Sequence, residues 1–230
     1  MISGSGIKVM VSAATRQTRR LDSAVRNIAN VNTAGFKAEQ VRFLEGTAEG
    51  KPATTVDYSQ GGIQKTGNVL DLAISGEGFF TVQTKDGLAY TRDGRATLNE
   101  KGELVSLAGE YILGTGGKIT ISGDDIQIGE TGTVRVDGGE VDTLKIVSFR
   151  QPSALTKVNG RLYQDPGNVA GIQEEENSKI SSGYLELSNV EVIREMVKMI
   201  NIQRTFESYQ KTIQTIDEQN KAATSRIGRL

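Results

Sequence analysis

Small or apolar residues recur every three or four positions at both ends of this 230-residue chain. Near the start, Ile7, Val11, Ala14, Thr18, Leu21, Val25 and Ile28 step by alternating fours and threes. Near the finish, Met199, Ile202, Phe206, Tyr209, Ile213, Ile216, Asn220, Ala223, Ile227 and Leu230 do the same. A repeat averaging 3.5 residues holds one narrow seam against a partner helix, which is the spacing of a coiled coil. Two long terminal helices forming a coiled-coil-like element are therefore expected, although two helices closing on each other inside one monomer would leave the same stripe. Asn220 shares its seam position with Phe206, Ile213 and Ile227; there it either fixes register at a cost in stability or marks a fraying helix end.

The first helix is expected from about Ser5 to Asn32, with Asp22 and Arg26 paired four apart. It meets the octet Asn30 to Lys37, where Asn and Gly35 supply the turn conformations that end a helix. The second helix is announced by Ser188 with Glu191 three residues on, a capping-box spacing, and runs towards Leu230. At 1.5 Å per residue that is roughly 60 Å of helix, which needs partners along its length.

Between the helices the pattern changes to short apolar runs cut by Gly, Asp and Asn. Val69 to Ile74, Phe79 to Gln83, Tyr111 to Leu113, Ile119 to Ile121, Thr133 to Val136 and Leu144 to Phe149 read as strands. Asp86-Gly87, Asp93-Gly94 and Asp137-Gly138 fit tight hairpin corners. Glycine is abundant, 27 residues against 3 Pro, as expected where turns rely on positive φ. The fold class is α+β, with an all-β middle domain. Residues 1–37 form the N-terminal helix and turn, 38–182 the β-rich middle and 183–230 the C-terminal helix.

Composition narrows the function. The chain has neither Cys nor His, which removes thiolate and imidazole metal ligands, the thiol nucleophile and the commonest proton shuttle. Six basic residues face one acidic residue between Met1 and Lys37, and seven face six from Tyr184 onwards, so a chain of net charge −1 carries −7 in its middle. That distribution argues against nucleic-acid binding. No stretch is apolar enough to span a membrane, and Arg16, Arg19, Arg20 and Arg26 stand where a signal peptide needs its apolar core, so the chain is expected either to stay in the cytoplasm or to be exported without a cleaved signal.

Several motifs favour bland readings. Gly114-Thr115-Gly116-Gly117-Lys118-Ile119 resembles a phosphate loop, but Ile119 replaces the magnesium-binding Ser or Thr, and a β turn fits better. Asp124-Asp125 and Glu174-Glu175-Glu176 lack the alternating oxygen ligands of a calcium loop. Ser75-Gly76-Glu77-Gly78-Phe79-Phe80 reads as a turn into a buried strand.

Taken together, the segments resemble the bacterial flagellar rod and hook family. Ala29-Asn30 with Thr33-Ala34-Gly35-Phe36-Lys37 is similar to that family's turn after the first helix. Leu70 to Phe80, Tyr90 to Gly94 and Gly102 to Val105 look like its central module. Gly183, Tyr184, Leu185, Glu186, Leu187, Ser188, Asn189 and Val190 look like its lead-in to the last helix. Glu195 to Ile200, Arg204 to Glu207 and Lys211 to Ile213 look most like the proximal-rod branch, with the distal-rod branch close behind.

The resemblance implies a structural subunit that polymerises helically into the periplasmic shaft of the flagellar basal body, reached through the flagellar type III export apparatus. Its partners would be copies of itself and other rod proteins, with no nucleic acid, no small-molecule substrate, no cofactor, no metal and no catalytic residue. Two rivals remain: a secreted β-rich adhesin trimerised by its coiled ends, and a carbohydrate-active enzyme using two acids from Asp124, Asp125 and Asp137.

Overall fold

A computed structural model describes residues 4–43, 52–175 and 178–227. The fold is α+β: two helices, α1 (Gly4–Ala29) and α2 (Val192–Ile227), bracket a β-rich middle. The chain divides into two compact units. One comprises Met1–Ala29, Glu39–Asp57 and Glu191–Leu230; the other comprises Asn30–Ala38 and Tyr58–Val190.

In the helical unit α1 packs on α2 and on the strand Glu39–Phe43, which pairs antiparallel with Pro52–Val56. Side-chain hydrogen bonds tie α1 to that strand. Ser23 Oγ and Asn27 Nδ2 each donate to the Glu39 carbonyl at 2.9 Å, and Asn27 Oδ1 accepts from the Glu39 amide at 2.8 Å. Arg26 ion-pairs with Glu39 at 3.2 Å. Ser188 Oγ accepts from the Val190 amide, two residues on, so this serine shapes the turn ahead of α2 instead of closing the expected capping box.

In the β unit, antiparallel strands run in the order Thr156–Val158, Leu162–Gln164, Gly87–Thr91, Phe79–Thr84, Tyr111–Gly114, Leu104–Ser106 and Ala96–Leu98. The strand Phe79–Thr84 is the hub. One of its edges meets Gly87–Thr91, and the other meets Ile146–Phe149 and then Tyr111–Gly114. Alternation sends Phe80 and Val82 into a core with Leu72, Ile74, Leu104, Ile112, Ile119, Val134, Leu144 and Ile180. Phe79, one residue earlier, joins Tyr58, Phe149 and Tyr163 in edge-on or tilted ring contacts of 5.5–5.8 Å. Each large apolar side chain so buried contributes about 1.5–3 kcal/mol, which lets a chain poor in aromatic residues hold a sheet of short strands.

Of the three expected Asp-Gly corners, one forms as expected, one is displaced by a residue and one does not form. Asp137 (φ 50°) and Gly138 (φ 82°) make the two-residue corner between Val136 and Gly139, the doubly positive geometry that Asp-Gly favours. Lys85-Asp86 form the next corner, with Gly87 opening the following strand. Asp93-Gly94 is no corner: Gly94 lies flat against the main chain of Leu72, whose amide donates to the Gly94 carbonyl at 2.9 Å. A Cβ there would fall 1.7 Å from the Leu72 oxygen. Close backbone approach, not turning, is what selects this glycine. Ile119 and Ile121 are buried, but their segment makes a bridge at Thr120 instead of the expected strand.

Gly94→Ala should therefore destabilise the β unit by about 3 kcal/mol, whereas Gly109→Ala, with open space around it, should cost about 1–2 kcal/mol. Urea unfolding of the two variants checks the difference, and equal losses would contradict the close-approach reading.

Candidate functional site: a buried charge joint

The chain leaving the β unit runs back along the chain entering it. Lys179–Ser182 pairs with Leu72–Ser75, and Tyr184–Glu186 pairs with Ile63–Lys65. Gly183 (φ 81°) makes the bend between them. This pairing places Glu186 beside Gly61 and beside the segment Thr33–Lys37, whose Lys37 lies 149 positions earlier in sequence.

That segment is a tight structure of its own. The Phe36 amide donates to the Thr33 carbonyl at 3.2 Å, and Thr33 Oγ1 donates to Asn30 Oδ1 at 3.2 Å. Gly35 (φ 65°) is pressed onto Arg92, where a Cβ would fall 2.3 Å from the Arg92 carbonyl carbon. No side chain fits, and the left-handed φ also favours glycine. The Gly35 amide then donates to the Glu186 carbonyl at 2.8 Å. Phe36 is buried with Val31, Ala38 and Val190.

At the centre lies a carboxylate between two cations. Glu186 Oε1 pairs with Lys37 Nζ at 2.6 Å and accepts from the Gly61 amide at 3.0 Å, while Glu186 Oε2 pairs with Arg92 Nη1 at 3.2 Å. The three side chains are 0%, 1% and 4% exposed for Glu186, Lys37 and Arg92. Charges this deep persist only when paired and hydrogen-bonded. Lys37 Nζ also donates to the Ser59 carbonyl at 2.6 Å. Arg92 donates to the carbonyls of Ile74 and Gly76 at 3.3 and 2.6 Å, and its guanidinium lies 5.4 Å from the centre of the Phe79 ring. Burial draws the Arg92 pKa down, and Glu186 opposes the shift. The guanidinium nevertheless stays charged at any physiological pH.

Asn189 and Lys157 close the joint. Asn189 Oδ1 accepts from the Ala38 amide at 2.8 Å, and Asn189 Nδ2 donates to the Ser59 carbonyl at 3.0 Å. Lys157 Nζ donates to the Lys37 carbonyl at 3.0 Å and sits 3.7 Å above the Phe36 ring. Asn30, Thr33, Gly35, Phe36, Lys37, Glu186 and Asn189 thus belong to one bonded cluster, while Gly183 bonds instead to Thr66, Gly67 and Asp71, Ser188 shapes its local turn and Leu185 is half-buried on the pairing strand.

The helix residues fall on distinct lines. Along α2, Met199, Ile202, Phe206, Tyr209 and Ile213 are half-buried and Ile216 is buried, and the line extends back to Glu195 and Val192. Along α1, Ala14, Leu21 and Ile28 lie on the half-buried line with Met10, Gln17 and the buried Ala24. Val11, Thr18 and Val25 face outwards, the two valines 53% and 47% exposed. The side chains of Ile7, Asn220 and Ile227 lie outside those described. Arg92, Ser59, Gly61 and Lys157 are joint residues that the sequence did not single out. The available signal was two short motifs of opposite charge, one carrying Lys37 and the other Glu186.

Three family models match in chain order. Residues 7–37 match "Flagella basal body rod protein", residues 73–136 match "Flagellar hook protein FlgE/F/G D1 domain", and residues 181–226 match "Flagellar basal body rod FlgEFG protein C-terminal". Among curated proteins, the chain is 37% identical to the flagellar basal-body rod protein FlgF of Caulobacter vibrioides, covering 92% of this chain and 93% of that protein. It is 34% identical to FlgG of Bacillus subtilis, covering 93% and 94%, and 32% identical to FlgF of Rhizobium meliloti, covering 89% and 90%.

Glu186→Gln strips the carboxylate shared by Lys37 and Arg92 and should cost about 3–5 kcal/mol, the usual penalty for orphaning buried charge. Asn189→Ala should cost about 1–3 kcal/mol through the unpaired Ala38 amide. Urea titration followed by circular dichroism orders the two; a neutral Glu186→Gln would contradict the joint.

Proposed function

The chain belongs to the family of flagellar basal-body rod proteins, and from that premise we propose how it is built into the shaft. It is a structural subunit of the flagellar basal-body rod, a class of protein that is not enzymatic. In our reading α1 and α2 pair as a coiled-coil-like element lining the tube, and the β unit forms the outer layer. The heptad-spaced burial along α2 supports this, as does the packing of both helices within one unit.

Copies of the chain, together with other rod proteins, are its partners. A heterologous contact repeated by a rotation and a rise gives an open filament, which is the symmetry a shaft needs. The outward residues Val11, Thr18 and Val25 then serve neighbouring copies, while Ala14, Leu21 and Ile28 serve the helix pair. The subunit is delivered by the flagellar type III apparatus and resides in the periplasmic part of the basal body.

Within the rod we assign the chain to the proximal position, as a FlgF-type subunit. The observation that carries this is the 37% identity to the Caulobacter FlgF over nearly the whole of both chains. The 34% identity to a FlgG over a similar span keeps the distal position as the second reading.

Deleting the gene and imaging basal bodies tests both. The proximal reading expects non-motile cells whose basal bodies stop below the distal rod. A full proximal rod lacking only its distal segment would favour the second reading, and a complete hook with normal motility would refute a rod subunit altogether.

A further inference from the structure

The hydrogen-bond inventory of Arg92 leaves one edge of its guanidinium open. A guanidinium carries five N–H groups. Nη1 uses its two on the Ile74 carbonyl and Glu186, and Nη2 uses one on the Gly76 carbonyl. Nε has no hydrogen-bond partner among the described residues although it is buried. The Nε–H and Nη2 lie along one side of the group, the edge that takes a carboxylate through two parallel bonds. A cavity of about 270 Å³ adjoins this side chain, lined by Tyr58, Ser59, Glu77, Phe79, Ser148 and Phe149.

Glu77 is the anion at hand. It is exposed, on a turn whose two flanking residues are glycines, Gly76 at φ 107° and Gly78 at φ 141°. The turn is already fastened on both sides, since the Gly76 carbonyl accepts from Arg92 itself and the Glu77 carbonyl accepts from Ser178 Oγ. Only the acidic side chain is left to rotate. Its charge acts on Arg92, favouring the protonated guanidinium.

We propose that Ser75-Gly76-Glu77-Gly78 is a strap whose Glu77 carboxylate closes side-on over the Nε–Nη2 edge of Arg92. Closing converts two unused donors into charge-assisted hydrogen bonds and gives this guanidinium a second carboxylate beside Glu186. The strap then ties the start of the hub strand, Phe79–Thr84, to the residue that holds the returning strand Tyr184–Glu186. Glu77 acts on the joint through Arg92, as a positioning residue.

Proton–nitrogen NMR of the full chain reads this at one atom. The Arg92 Hε resonance, identified by its contact with the Phe79 ring, should lie downfield and exchange slowly with water. Glu77→Gln should move it upfield and speed its exchange about tenfold, the size of one charge-assisted hydrogen bond, while Glu77→Asp should recover part of the protection. Identical Hε shift and exchange in wild type and Glu77→Gln would overturn the strap. So would an Hε resonance that becomes protected only on adding acetate, because the edge would then be a site for an external carboxylate.

Discussion

The Glu186 carboxylate, buried between Lys37 and Arg92, is the interaction on which the rest of the β unit's ends depends. Three segments far apart in sequence reach it at once: the turn after α1, the end of the strand Gly87–Thr91 and the strand returning towards α2. Hydrophobic burial could bring such segments together but would leave them free to slide. Buried charges forbid sliding, since a shift of one residue leaves a cation or an anion unpaired in a low-dielectric interior. The joint's contribution is therefore mainly to register, with modest net stability.

Backbone contacts make that register possible. Gly35 allows the turn to lie on Arg92, and Gly61 lies against the Leu187 carbonyl, with a Cβ position only 2.0 Å away. The Gly35 amide meets the Glu186 carbonyl and the Gly61 amide meets its carboxylate. Glycine is needed where main chains touch, and the charges are needed where side chains meet, so the same short motifs are rich in both. The chain passes here once from helix to β structure, after α1, and once from β structure to helix, before α2.

The helices and the β middle were legible because periodicity reports burial directly. A 3.5-residue repeat separates Phe206 and Ile213 from the polar residues around them, and short runs such as Phe79 to Gln83 fill strand after strand. The side of α1 that turns inward was not legible. Val11 and Val25 are more apolar than Gln17 and Ala24, yet they face outwards. Ser23 and Asn27 decide the matter through hydrogen bonds to Glu39, which no apolar pattern encodes. Gly94 was misread for a related reason, since the close approach of Leu72 depends on a strand some twenty residues away. The octet Asn30 to Lys37 and the lead-in Gly183 to Val190 were recognisable as motifs, whereas their meeting through Lys37 and Glu186 is a tertiary fact.

The most direct test of the joint is a double-mutant cycle on Lys37 and Glu186, comparing Lys37→Met, Glu186→Gln and the double variant by urea unfolding of the full chain. Coupling of about 2 kcal/mol or more, with the double variant less damaged than the sum of the single ones, is what a shared buried charge pair requires. Additivity within about 0.5 kcal/mol would mean that the two residues act independently, and would contradict the account.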